Sequence, residues 1–129
     1  MKLEFGAIGI CVNNIKTMVE FYRNVIGLDI EWDGGPFAGV RMSNGVFFNL
    51  YHGEHITKLD GINKTFQVTC TTVNGEDFTP DDVDKEYNRM IQAGAQAVIP
   101  PIDAPYGMRI AYVADPEGNQ IEICCPLED

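Results

Sequence analysis

Apolar and small or polar residues alternate over residues 5–12, which is the pattern of a half-buried β-strand. Apolar residues then recur at helical spacing, with Asn13 or Asn14 suited to cap the helix start and Gly27 suited to end it. Turn residues and apolar runs after Gly27 predict three further strands. These strands are expected at about 28–33, 37–42 and 46–52.

The same order of elements is repeated in the second half of the chain. Residues 64–73 predict a strand, and a helix is expected from Thr79-Pro80 to Gly94 because threonine and proline favour a helix start. The last strands are predicted at about 96–99, 108–114 and 119–125. The pattern therefore predicts an α+β fold of two tandem βαβββ modules, about 1–58 and 62–129, within one domain.

Two motifs resemble those of a known superfamily. Residues 8–15 and 21–28 are similar to its first strand and helix, and residues 106–109 and 114–122 are similar to its closing hairpin. The chain thus resembles the vicinal-oxygen-chelate superfamily of glyoxalase, bleomycin-resistance and extradiol-dioxygenase proteins. The resemblance implies that the modules form a U-shaped mixed sheet around a cleft, and that the protein is a homodimer.

Metal-dependent members of that superfamily hold one divalent ion with residues from the first and fourth strands of each module. The matching positions here are Ala7, Asn49, Thr65 (or Gln67 if the register shifts) and Glu122. Alanine has no donor atom and an amide is a weak ligand, so we predict no metal cofactor. The alternative is a set of Asn49, Gln67 and Glu122 that binds one ion such as Zn, Ni, Mn or Fe.

Histidine and cysteine offer little support for other chemistry. His52 is expected on the helix side of its strand and His55 in a loop, and neither matches a ligand position. The four cysteines match no zinc-binding spacing, and in a reducing cytoplasm they are not expected to form disulfides. Cys124-Cys125 is a vicinal pair, more typical of small core residues than of a redox site.

Strand alternation selects several side chains that would line the cleft, and Trp32 and Phe37, which flank the turn at Gly34-Gly35-Pro36, could reach its mouth. Several are aromatic, as is usual for small-molecule pockets, and Glu122 could pair with a cationic or hydrogen-bonding ligand group. Arg109 could bind a ligand carboxylate or pair with a surface acid. The candidate ligand-binding residues are Phe5, Trp32, Phe37, Phe47, Asn49, Tyr51, Gln67, Tyr106, Arg109 and Glu122.

Charge restricts the partners. Nineteen acidic and nine basic residues give a formal net charge of −10, which would repel nucleic acid and anionic membrane surfaces. The first five residues lack the features of a signal peptide, so we expect a cytoplasmic protein.

These observations predict a protein that binds or sequesters a small apolar or cationic ligand. The first alternative is a divalent-metal-dependent lyase, isomerase or dioxygenase of the glyoxalase type. The second is a metal-free enzyme in which Glu122, the one catalytic candidate, acts as a general base.

Overall fold

The computed structural model describes residues 2–52 and 67–127. The chain divides into two compact units, Met1–Asn63 and Lys64–Asp129. Each unit contains one four-stranded mixed sheet and one α-helix, so the predicted α+β class and the duplication of the module are confirmed.

The first unit contains four strands and one helix. They are β1 (Ala7–Cys11), α1 (Ile15–Phe21), β2 (Glu31–Trp32), β3 (Phe37–Arg41) and β4 (Phe47–Tyr51), and α1 continues into a π-helical turn, Tyr22–Ile26. The sheet order is β1-β4-β3-β2. β1 runs parallel to β4, while the other neighbouring strands are antiparallel.

The second unit repeats this topology. Its elements are β5 (Gln67–Cys70), β6 (Thr72–Val73), β7 (Glu76–Asp77), α2 (Pro80–Gln92), β8 (Gln96–Ala104), β9 (Met108–Ala114) and β10 (Gln120–Pro126). The sheet order is β5-β10-β9-β8, with β5 parallel to β10. β6 and β7 form a separate hairpin.

Local sequence explains where the helices begin and end. Asn14 accepts a hydrogen bond from the Thr17 amide at 3.0 Å, and Gly27 ends the first helical segment with a φ of 94°, a conformation that favours glycine. At the start of α2, Thr79 and Asp82 each accept a hydrogen bond from the other's backbone amide. Within the described parts of the chain, neither helix is long and apolar enough to cross a membrane.

Each sheet buries the side chains on one face under its helix. In the first unit Phe48 and Leu50 are buried, and the Phe48 ring lies 5.1 Å from that of Tyr22 in the helix. In the second unit Ile121 and Ile123 are buried in the same way. The intervening residues of β4 and those at positions 120 and 122 of β10 are only partly buried, as strand alternation requires.

Two strand lengths differ from the prediction. β2 is only Glu31–Trp32. Just before it, the Arg23 guanidinium donates two hydrogen bonds, of 2.9 and 2.8 Å, to the Ile30 carbonyl. β8 extends to Ala104 despite two prolines, because it is an edge strand with register shifts, where a missing amide hydrogen is tolerated.

The segment after β5 also differs from the prediction. Residues 72–77 form the β6–β7 hairpin, which was not predicted. Asn74 and Gly75 adopt positive φ angles of 53° and 81°, as a tight hairpin turn requires. The predicted strand 64–73 is interrupted after Cys70, and its first three residues lie outside the described residues.

Candidate functional site

The first unit contains a pocket of about 440 Å³ at its β2, β3 and β4 strands. Its lining combines aromatic rings, acidic side chains and a glycine: Trp32, Phe37, Phe47, Glu31, Asp33 and Gly39. The three aromatic residues are among those predicted to bind a ligand. The volume is typical of small-molecule pockets, which are often walled by aromatic residues and contain few polar groups.

The Trp32 side of the pocket is held by the turn between β2 and β3. The Trp32 indole donates a hydrogen bond to the Gly35 carbonyl at 2.8 Å. The Asp33 carboxylate accepts one from the Gly35 amide at 2.9 Å. Because the indole nitrogen is already satisfied within the turn, the ring is available mainly for apolar and stacking contacts.

The opposite side of the pocket is formed by two nearly parallel phenylalanine rings. Phe37 and Phe47 have ring centroids 6.1 Å apart and an interplanar angle of 16°. Phe47 lies directly over Gly39: a β-carbon added there would meet the Phe47 Cζ at 2.5 Å. The absence of a side chain at Gly39 therefore allows this ring position. The Arg41 guanidinium lies 5.4 Å from the Phe47 centroid.

A second glycine shapes the same sheet face. A β-carbon at Gly9 would lie 2.7 Å from the Asn49 Oδ1 and 3.2 Å from the Tyr51 Cε1. The Asn49 amide nitrogen is 3.4 Å from the Ile8 carbonyl oxygen, a long hydrogen bond. Asn49 and Tyr51 therefore lie over Gly9, on the face that strand alternation predicts for them.

The second unit has a different arrangement on its corresponding face. The Glu122 Oε1 accepts hydrogen bonds from the Thr69 hydroxyl at 3.0 Å and from the Gln67 amide nitrogen at 3.3 Å. Thr69 and Tyr112 are the direct cross-strand neighbours of Glu122. Glu122 and Gln67 were selected from the sequence as ligand-binding candidates, whereas Thr69 and Tyr112 were not.

Tyr112 completes this group. Burial and a hydrogen bond to the Glu122 carboxylate raise the pKa of the Tyr112 phenol, so it remains a neutral donor over a wider pH range. Its ring packs against the apolar cluster of Ala104, Ile110 and Cys124. The sequence signal that could have identified Tyr112 is the short turn between β9 and β10, which places it opposite Glu122.

Because the two sheets share one topology, their positions can be matched. In the first unit Asn49 pairs with Gly9 and Gly39. In the second unit Glu122 pairs with Thr69 and Tyr112 at the same places in the ladder. By the same register Ala7 corresponds to Gln67. Gly9, Gly39 and Asn49 of the first unit thus match Thr69, Tyr112 and Glu122 of the second.

The remaining candidate residues lie elsewhere in their units. Arg109 faces α2, where its guanidinium binds both Asp84 carboxylate oxygens at 2.9 and 3.0 Å, and it also binds Asp103 at 2.8 Å. These two carboxylates raise the pKa of Arg109. Tyr106 is 65% exposed in the turn before β9, and Phe5 is 90% exposed ahead of β1.

The surroundings of His52 and of the cysteines favour a structural role for these residues. The His52 Nδ1 lies 2.8 Å from the Val12 carbonyl oxygen, which fixes the proton on that nitrogen. His55 and Thr65 lie outside the described residues. No disulfide joins the four cysteines. Burial, together with Cys124 and Glu86, raises the pKa of the Cys70 thiol to about 11, which makes it a poor nucleophile at neutral pH.

Sequence comparison identifies the family to which this fold belongs. The profile of the Glyoxalase/Bleomycin resistance protein/Dioxygenase superfamily matches residues 4–123. The chain belongs to this superfamily. A relative in Bacillus subtilis (strain 168), named "Uncharacterized protein YraH", is 30% identical, with 90% of this chain and 93% of that protein covered.

Solved structures of the superfamily have the same fold. A glyoxalase/bleomycin resistance protein/dioxygenase from Nocardioides has a TM-score of 0.80 at 22% identity, with 99% of this chain and 86% of that chain covered. A structure described as a possible glyoxalase from Bacillus cereus has a TM-score of 0.68 at 26% identity, covering 96% and 100%.

The donor atoms do not fit the divalent ion of metal-dependent superfamily members. Ala7 has no donor atom, and Asn49 and Gln67 offer only neutral amide oxygens, which are weak ligands. Glu122 is the one carboxylate among these positions. Among residues 2–52 and 67–127, no three His, Cys, Asp or Glu side chains form a group that could hold a metal ion. No metal-dependent reaction step is therefore assigned to these residues.

Proposed function

We propose that this chain binds and sequesters a small molecule with an aromatic or other apolar body and a positive charge. The observation that carries the proposal is the pocket of about 440 Å³ in the first unit, with walls of Trp32, Phe37 and Phe47. Aromatic walls contribute large apolar contact areas and stacking to ligand binding.

Preorganisation of the pocket favours this function. The Trp32 ring is held by its hydrogen bond to Gly35, and Phe47 is held over Gly39. Side chains that are ordered before binding lose less conformational entropy when the ligand arrives. The pocket is thus suited to take a flat ring without a large rearrangement.

Charge favours a cation over an anion. Glu31 and Asp33 line the pocket beside the aromatic rings, and the whole chain carries a formal net charge of −10. Aromatic faces and nearby carboxylates both attract a cation. Drug binding by bleomycin resistance proteins, which share the superfamily's description, is consistent with this chemistry.

We further propose that this binding protein has no metal cofactor, that it is located in the cytoplasm and that it forms a homodimer. Leu3 and Phe5, which are 86% and 90% exposed, support self-association because large exposed apolar side chains favour contact with another surface.

Titration of the single tryptophan tests the pocket, because Trp32 is the only tryptophan in the chain and lies in its wall. Naphthylmethylammonium and naphthalenemethanol are suitable cationic and neutral probes. We expect both to change Trp32 emission, and calorimetry to give the two dissociation constants.

Phe37→Ala is the variant of choice because Phe37 is 52% exposed and its loss should not prevent folding. It should weaken binding of both probes about tenfold, the effect expected from losing one stacking ring. Tyr87→Ala, which removes an aromatic ring from α2, serves as the control and should bind normally. If both variants and the parent chain bind the probes with equal affinity, the pocket is not the binding site.

A further inference from the structure

The acidic side of the first unit's pocket is defined by the pairing of β2 with β3. Glu31 lies directly opposite Gly39 in this antiparallel ladder. Directly opposed residues of two antiparallel strands project from the same face of the sheet and lie about 5 Å apart. Because glycine has no side chain, the Glu31 side chain borders a space that Gly39 leaves open.

The aromatic side of the same space is defined by β3 and β4. Phe37 and Gly39 are alternate residues of β3 and therefore face the same side. The Phe47 ring lies over Gly39 and is stacked on the Phe37 ring, with 6.1 Å between the ring centroids. Glu31, Phe37 and Phe47 thus surround Gly39, and all four residues line the pocket.

Arg41 gives the pocket a direction of charge. Its side chain lies opposite Phe47 in the ladder, and its guanidinium donates a hydrogen bond of 2.9 Å to the Gly45 carbonyl. This bond holds the positive charge at the turn between β3 and β4, whereas Glu31 lies on β2, at the other edge of β3. A cation in the pocket is therefore attracted towards β2 and repelled from that turn.

The second acidic residue of the pocket, Asp33, is bound within the turn that follows β2. Its Oδ1 accepts the hydrogen bond from the Gly35 amide at 2.9 Å, and this bond ties the carboxylate to the turn. Asp33 therefore shapes the turn that also holds the Trp32 indole. Glu31, by contrast, is placed by strand register on the same face as the phenylalanine rings.

We infer that Glu31 determines the charge preference of the pocket by pairing with a positively charged group of the ligand, while a flat apolar part of the ligand contacts Phe37 and Phe47. The inference rests on the proposed ligand-binding function and specifies the residue that takes the charge. Since Glu31 is directly opposite Gly39, the fitting ligand is an organic cation whose charge lies within a few bonds of its ring.

The test compares naphthylmethylammonium with naphthalenemethanol in Glu31→Gln, a variant of nearly the same shape without the charge. The ammonium probe should lose about fivefold in affinity at low salt, the upper range for an exposed ion pair, while the neutral alcohol binds as before. Salt at about 300 mM should reduce this difference by screening. Glu20→Gln makes the same change on an exposed residue of α1 and should leave both affinities unchanged.

Charge reversal provides a readout that a merely structural role of Glu31 would not change. The parent chain should bind naphthylmethylammonium more tightly than naphthylacetate, because Glu31 attracts the first and repels the second. In Glu31→Lys this order should be reversed. A variant that loses affinity for both charged probes and for the neutral alcohol would show that Glu31 only maintains the strand, and would overturn the inference.

The remaining outcomes separate this inference from the proposed pocket. If Phe37→Ala weakens both probes but Glu31→Gln weakens neither, the pocket stands and the role of Glu31 is rejected. Asp33→Asn keeps an oxygen that can accept the Gly35 hydrogen bond. If it weakens the ammonium probe as much as Glu31→Gln does, the preference is not specific to Glu31 and the inference is also rejected. If neither probe binds the parent chain, the proposed function fails as well.

Discussion

Glycine residues determine which aromatic and polar side chains can occupy the face of the first sheet. At Gly39 a methyl group would meet the Phe47 ring at 2.5 Å and the Phe48 carbonyl oxygen at 3.1 Å. The ring could rotate away, but the backbone carbonyl could not, so a larger residue would disturb both the pocket and the strand. Glycine is therefore required at position 39 because the Phe47 ring and the Phe48 carbonyl oxygen lie so close to it, and not because of its backbone conformation.

Gly39→Ala is expected to lower the free energy of unfolding by about 1–3 kcal/mol, the usual range for adding a methyl group to a packed site. It should also weaken binding of naphthalenemethanol, because the Phe47 ring must move. Gly6→Ala is the matched control, since a β-carbon at Gly6 would meet no atom within 4 Å. Urea denaturation and Trp32 titration measure the two effects; equal stability of the variants would contradict the packing argument.

At the scale of single elements, α2 is joined to its surroundings at both its start and its middle. Thr79 and Asp82 form the capping box at the start. Asp84 binds the Arg109 guanidinium of β9, which also binds Asp103 of β8. Because one guanidinium connects the helix to two strands, Arg109 serves as a structural link between these elements.

The capping box predicts a defined pH dependence. Hydrogen bonds from Thr79 lower the pKa of Asp82 below its ordinary value of 3.8. Since the folded-state pKa is lowered, the stabilisation is present above the unfolded-state value and disappears as the pH falls through the folded-state value. Asp82→Ala should therefore be less stable than the parent chain at neutral pH, and this difference should diminish below pH 3.8.

Thermal unfolding from pH 7 to pH 2.5 measures this difference. Asp81→Ala removes a charge from the same helical turn but not the Thr79 hydrogen bonds, and so provides the control for the helix-dipole contribution. A difference between Asp82→Ala and the parent chain that is independent of pH would show that the ionised carboxylate is not what stabilises the cap.

At the scale of the whole molecule, two opposing forces act on self-association. The net charge of −10 on each copy favours separation through mutual repulsion. The exposed Leu3 and Phe5 favour contact with an apolar surface on another copy. Added salt screens the repulsion while leaving the apolar contact intact.

We therefore predict that sedimentation velocity detects a dimer whose dissociation constant decreases as salt rises from 20 to about 300 mM, over which the screening length falls severalfold. Replacing Leu3 and Phe5 by serine should weaken this dimer, whereas Val98→Ser changes an exposed apolar residue of β8 and serves as the control. A monomer under all of these salt conditions would refute the proposed assembly.

The sequence alone determined the repeated modules and the side of each strand on which a residue lies. Alternation selected Phe47, Asn49 and Glu122 correctly as residues on the face away from the helix, because this property depends only on neighbours along one strand. Of the other aromatic residues of the pocket, Trp32 and Phe37 were chosen because they flank the turn at Gly34-Gly35-Pro36. The extent of β2 was not predicted, since the strand covers only Glu31–Trp32.

Only the tertiary structure revealed what lies across from each residue. Thr69 and Tyr112 meet Glu122 because of strand register, and Gly39 lies under Phe47 because two strands are paired at that point. Such neighbours are separated by many positions along the chain, and a shift of one residue would exchange them. Periodicity in one strand carries no information on this pairing, which is set by turns and by packing between strands.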